Sequence, residues 1–209
     1  MKQPTSSDAS SDLDDRCIVE QVLAGDRQRY AVLVHRYHRP LLNLATNRLG
    51  NASVAEDAVQ DTFVSAYRSL HTYKSEFSFR TWLWTILLNH CRRHASRLAR
   101  LPRQIDARVL VHGEQTLACN VDSQASPELA AMHSERHALL STLLLELPEA
   151  RADAIRLRFY GQLKYREIAS VMNSSLNAAK QRVRLGLETL GEMIRERKLT
   201  DSAFPEDKS

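Results

Sequence analysis

Lys180, Arg182 and Arg184 follow one another closely in "SSLNAAKQRVRLGLETL", residues 174–190, with Asn177 and Gln181 among them. Arginine and lysine donors match guanine O6 and N7, and side-chain amides match adenine N6 and N7. These residue types can therefore read base edges, provided one element carries them on one side. Helical spacing does so. Leu176, Ala179, Val183, Leu187 and Leu190 recur every three or four residues and form the apolar stripe of an amphipathic helix. Asn177, Lys180, Gln181 and Arg184 then lie on the opposite side, and Arg182 sits at the flank, placed to hold a phosphate. An ordinary surface helix with a basic face has the same pattern.

The preceding residues supply what the DNA-reading alternative requires, while this stretch alone leaves both readings open. "YREIASVMN" reads as a short helix with Ile168, Ala169 and Met172 inward. Asn173, Ser174 and Ser175 make a turn in which a serine hydroxyl can cap the next helix. A helix, a tight turn and a polar-faced second helix form a helix-turn-helix, whose second helix enters the major groove.

Other constellations are weaker. His90 and His94 stand four apart beside Cys91, as do His133 and His137. Zinc needs three or four ligands, and neither pair has a local third partner, so no metal site is expected. Cys17, Cys91 and Cys119 are an odd number and widely spaced, as in a reducing compartment. Cys119 reads as an inert thiol. No glycine-rich phosphate loop, nucleophile elbow or paired-acid motif is present, so neither an enzyme active site nor a cofactor is expected.

The 209 residues suit one larger or two small domains. The formal charge of +4 permits a polyanionic partner, and its distribution locates it. Residues 1–15 set Lys2 against four aspartates, a net −3, whereas residues 136–200 carry a net +5. No apolar run is long enough to span a bilayer, and the polar, acidic start "MKQPTSSDASSDLDD" is no secretory signal. These features predict a cytoplasmic protein with no membrane insertion of its own.

The periodicity is helical throughout, and the fold class expected is all-α. Residues 1–11 read as a disordered tail. A helix follows from Leu13, stopped by Gly25, with Asp26 capping the next. That second helix carries Tyr30, Leu33, Val34, Tyr37, Leu41 and Leu44, and Pro40 should kink or interrupt it. Gly50 and Asn51 close it. Ser53 and Glu56 form a capping box for a third helix over about 54–70. Val59, Phe63, Ala66, Tyr67 and Leu70 face its core, leaving Asp57, Gln60, Asp61 and Ser65 on a polar outer face. Residues 71–78 are a loop, and a fourth helix runs over about 79–101. Residues 102–125 lack a period and read as a flexible linker. "SPE" at 126–128 opens the next helix, with a stripe of Leu139, Leu140, Leu143, Leu144 and Leu147. Pro148 opens another, with Ala154, Ile155, Leu157 and Phe159 inward and Gly161 at its end. The helix-turn-helix and a polar tail over 200–209 complete the chain.

"EDAVQDTFVSAYRSL" (56–70), "FSFRTWLWTILLN" (77–89) and the helix-turn-helix beyond a linker, in this order and spacing, resemble an extracytoplasmic-function sigma factor. These are the small two-domain members of the bacterial sigma-70 family. The resemblance spans about Leu13 to Ile194. It implies a sigma region 2 domain over 12–101 and a sigma region 4 domain over 126–199. It places Asp57, Gln60 and Asp61, with Ser65 beside them, on the helix that docks on core RNA polymerase. It places Tyr73, Lys74, Phe77 and Ser78 in the loop that accepts a flipped base of the −10 element. Arg80, Trp84, Asn89 and Arg92 follow on or beside the helix that reads single-stranded DNA, while Trp82 is expected in the core. Asn177 and Ala178 depart from the glycine and threonine frequent before the recognition helix. Arg184, Leu185 and Leu187 are also atypical, which implies an unusual −35 preference.

The expected function is promoter-specific initiation: core polymerase binding, recognition of −35 and −10 elements, and DNA melting. The expected partners are bacterial core RNA polymerase, promoter DNA and an anti-sigma factor. A homodimeric helix-turn-helix regulator is the alternative, though it has no use for "DAVQDTF" or "FRTWL". A second alternative is an inactive sigma-like module that only binds another protein.

Overall fold

A computed structural model of the chain describes residues 6–74, 78–100 and 139–203. The described residues form eight helices and no strand, as the periodicity predicts. The first four are α1 (Ser6–Leu23), α2 (Tyr30–Leu49), α3 (Ala52–Arg68) and α4 (Phe79–Arg100). The last four are α5 (139–146), α6 (Glu149–Phe159), α7 (Tyr165–Val171) and α8 (Leu176–Ala203). The expected linker, the start at 126–128, His133, His137, Cys119 and Phe77 all lie outside the described residues.

Several boundaries differ from expectation for local reasons. α1 begins at Ser6, inside the stretch read as a tail, since serine and aspartate open helices readily. Asp26 makes no side-chain cap; a 3-10 turn over Arg27–Arg29 leads into α2 instead. α2 runs unbroken through Pro40. Buried Leu33 and Tyr37 on one side of the proline, and Leu41 and Leu44 on the other, anchor both halves against the loss of one backbone donor. Gly50 ends α2 at φ 66°, the left-handed conformation in which glycine has no Cβ penalty. The cap of α3 is Asn51, two residues before the predicted serine: its Oδ1 accepts from the Val54 amide at 3.0 Å.

The two helical groups pack on each other. One apolar core runs from Leu33, Leu41, Phe63, Leu83 and Leu87 through to Leu157, Ile168, Ala179 and Val183. A smaller cluster joins Leu143, Leu144, Leu147, Ile155 and Leu190. Leu139 and Leu140 are exposed, because the leucine-rich run exceeds the one stripe that α5 can bury. Phe159 is also exposed, at 58%; its neighbour Tyr160 takes the inward place where α6 ends.

α4 carries the largest difference. Trp84 is 1% exposed and its Nε1 donates to the Gly161 carbonyl at 3.3 Å, while Trp82 is half-buried. The sequence places Trp82 in the core, against which it does pack, and leaves Trp84 open between DNA contact and core. α4 is sandwiched, with α2 and α3 on one side and α7 on the other, so it buries a wider arc than one stripe. Trp84 lies in the second arc and cannot contact DNA in this arrangement.

α8 corrects a second expectation. Its buried stripe is Ala179, Val183, Gly186 and Leu190, and Leu187 is 43% exposed. Glycine at 186 lets the backbone of α8 lie directly on α6: a Cβ there would fall 2.6 Å from Ile155 Cδ1. That contact rotates Leu187 outward.

Candidate nucleic-acid and protein interfaces

The helix-turn-helix forms from its local signals. Ser175 Oγ accepts from the Ala178 amide at 3.1 Å and caps α8, and Asn173 makes the turn at φ 45°. Ile168 and Ala169 of α7 are buried against α8. Asn177, Lys180, Gln181 and Arg184 are all exposed on α8, with Arg184 in an ion pair at 3.2 Å with Glu188 one turn on. Arg182 is half-buried and lines a cleft with Arg92, Ser96, Glu149 and Asp153. It occupies the flank, as its spacing predicts, but faces the first helical group.

The α3 face is also open. Asp57, Gln60 and Asp61 are exposed and Ser65 is half-buried. Val64 and Tyr67 are exposed beside them, at 42% and 38%. Tyr67, expected in the core, packs edge-on to Tyr30 at 5.0 Å and borders a groove with Val34, His38 and Phe63. Sequence reasoning missed this apolar margin. The available signal was Val64, an apolar residue one turn after Gln60 on an otherwise polar side.

The segment around the start of α4 is covered. Ser78 Oγ caps α4 through the Thr81 amide at 3.2 Å, and it also donates to Glu167 of α7 at 3.1 Å. Thr81 Oγ1 donates to the same carboxylate oxygen at 3.0 Å. The other Glu167 oxygen accepts from the Lys164 amide at 2.7 Å, so one side chain both caps α7 and ties it to α4. Tyr73 stacks edge-on to Phe79 and against Trp82, with ring centroids at 5.7 and 5.6 Å. Arg80 is half-buried; Lys74, Asn89 and Arg92 are exposed, and Arg92 donates to Asn89 at 3.3 Å.

A buried polar network clamps the groups together. Asn47 donates to Ser141 Oγ at 2.8 Å and accepts from Arg156 Nε at 2.7 Å. Arg48 donates to Asp153 at 2.6 Å and to Glu149. Burial raises the Asp153 carboxyl above its usual range, against the pull of Arg48 and Arg156. For Arg156, burial lowers the pKa and Asp153 opposes it. Removing one partner from such a network leaves a buried charge uncompensated. The Cys91 thiol, buried nearby, is pushed up to about 12 and is unreactive at neutral pH.

The family described as Sigma-70 region 2 matches residues 33–101, and that described as Sigma-70, region 4 matches residues 137–190. Together the two matches cover more than half of the chain, which belongs to the sigma-70 family. Among the relatives of this sigma-70 family member is the RNA polymerase sigma-H factor of Pseudomonas aeruginosa, 28% identical over 86% of this chain and 93% of that protein. The ECF RNA polymerase sigma-E factor of Escherichia coli K12 is 26% identical over 88% of this chain and 96% of its own. Among solved structures, CnrH in complex with the cytosolic domain of CnrY shares the fold, with a TM-score of 0.64 and 22% identity over 87% of this chain and 97% of CnrH. The sigma factor RpoE of Bartonella quintana, in complex with the anti-sigma factor NepR, aligns at a TM-score of 0.56 and 21% identity over 81% of this chain and 97% of that one. No helix among the described residues is long and apolar enough to cross a membrane.

Proposed function

We propose that this chain binds bacterial core RNA polymerase and directs initiation at promoters defined by −35 and −10 elements, opening the DNA at the latter. A region 2 domain over 12–101 and a region 4 domain over 126–199 divide the work. α3 docks on the polymerase through Asp57, Gln60, Asp61 and Ser65, with Val64 and Tyr67 as apolar margin. Lys180, Gln181 and Arg184 of α8, with Asn177 at its start, read the −35 major groove, and Arg182 holds backbone. Tyr73, Lys74, Phe77, Ser78, Arg80, Asn89 and Arg92 serve the −10 element. Trp84, buried under Gly161, joins them only when the last helices part from α4.

The observation that carries this reading is the coexistence, in one small chain, of an exposed groove-reading helix and a separate exposed acid-and-amide edge on α3. A dimeric helix-turn-helix regulator has no role for the second. A protein-binding module has no role for the first. The contacts of Ser78 and Thr81 with Glu167 support a further element: the packed arrangement is a resting state, and the −10 face is freed when α7 leaves α4. Melting requires unstacked bases to find new partners, and aromatic and basic side chains supply them. An anti-sigma protein is the natural holder of such a state, since RpoE of Bartonella quintana, which shares the fold, is found in complex with one.

The test is reconstitution. The full chain with core polymerase should produce a sigma-dependent transcript and permanganate-reactive thymines in the −10 region. Asp61→Lys should lower core polymerase retention in a pull-down while far-ultraviolet circular dichroism stays at the wild-type value. Unchanged retention would remove α3 from the docking surface.

A further inference from the structure

The fold supplies what the histidine spacing lacked. His90 and His94, four apart on α4, meet Asp61 of α3, and the three ligand atoms lie within 4.8 Å of one another. His94 Nε2 is 2.9 Å from Asp61 Oδ2, and His90 Nδ1 is 3.9 Å from the same oxygen. Two metal bonds of about 2.0–2.1 Å at the tetrahedral angle separate their donors by about 3.3 Å. The observed pair brackets that value. We propose that Asp61, His90 and His94 form a binding site for a divalent first-row transition cation of the zinc class.

Two details favour a cation over a simple ion pair. An ion pair needs only His94 and Asp61; at 3.9 Å, His90 Nδ1 is too far to share a proton with the carboxylate, yet near enough to share a metal with it. Ser65 Oγ lies 2.9 Å from His90 Nε2. With Nε2 donating there, Nδ1 keeps its lone pair on the carboxylate side, and such an outer hydrogen bond is how ligating histidines are commonly oriented. Two imidazoles and one carboxylate suit zinc, nickel and cobalt, whereas magnesium and calcium take oxygen-rich sites. Asp61 is about half exposed, which leaves the remaining coordination positions open to water or to a group from a partner.

The experiment uses the full chain, stripped with chelator and titrated with Co²⁺ by visible absorption and with Zn²⁺ by calorimetry. A single site with tetrahedral-type cobalt absorption is expected. His94→Ala and Asp61→Asn should each weaken it by about tenfold or more, and Ser65→Ala by about tenfold. Asp61 is half exposed and His94 reaches solvent at one edge, and circular dichroism checks that each variant keeps the fold. His133→Ala with His137→Ala should leave the affinity unchanged. Absence of binding in the wild type, wild-type affinity in folded His94→Ala, or loss of binding in the His133/His137 variant would each overturn the proposal. Because no polymerase is present, failure here leaves the α3 docking reading standing, and failure of docking leaves this site standing.

Discussion

α8 and α4 both carry residues assigned to DNA, yet the structure treats them differently. On α8 the groove-reading residues face outward along one side, and the buried stripe keeps them there. On α4 the start of the helix and Trp84 face the other half of the chain, while Asn89 and Arg92 stay exposed. Glu167 holds Ser78 and Thr81, and Gly161 receives the Trp84 indole. The contrast teaches that residue type fixes what a helix can contact, while its neighbours fix when. A duplex-reading helix can stand ready at all times. A face proposed to capture unstacked bases is needed only after the duplex opens, and its Ser78 end is the part that is covered.

Four substitutions probe this contrast. The largest effect should come from the clamp. Asp153→Ala leaves Arg48 and Arg156 buried without their shared carboxylate and should cost about 3–5 kcal/mol in urea unfolding. A loss below about 1 kcal/mol would mean that the interface between the groups is not held by this network. Arg184→Ala comes next: it should remove about 1–3 kcal/mol of discrimination at one or two −35 positions, read from a randomised −35 library selected with the mutant holoenzyme. A profile identical to wild type at every position would turn α8 away from the groove.

Glu167→Ala should cost about 1 kcal/mol through the lost cap of α7 and, by releasing Ser78 and Thr81, raise the affinity of holoenzyme for a single-stranded −10 oligonucleotide about fivefold. Unaltered affinity would show that covering α4 does not limit −10 capture. The smallest effect belongs to Leu187→Asp. The periodicity places Leu187 in the core, but it is exposed in the structure, and the substitution should change unfolding free energy by no more than about 0.5 kcal/mol. Collapse of the fold in this variant would restore the stripe read from the sequence and displace Gly186 from the α6 contact.

The sequence determined whatever depends on neighbours one helical turn away. Three- and four-residue spacing marked the helices and most of their buried sides, Gly50 and Gly161 marked ends, and the turn at Asn173 marked the helix-turn-helix. Those signals are local because the backbone hydrogen bonds and side-chain contacts of a helix span four residues. Motif order was enough to indicate the family. Only the tertiary structure decided which tryptophan of α4 is buried, because a helix packed on two sides has no single stripe to read. It decided that Leu187 yields its place to Gly186, because the closeness of α6 and α8 depends on a side chain thirty-one residues away. It also brought Asp61 to His94 across thirty-three residues and Glu167 to Ser78 across eighty-nine. Nothing in local spacing encodes such pairings, which arise only when apolar stripes bury one another and carry their polar margins into contact.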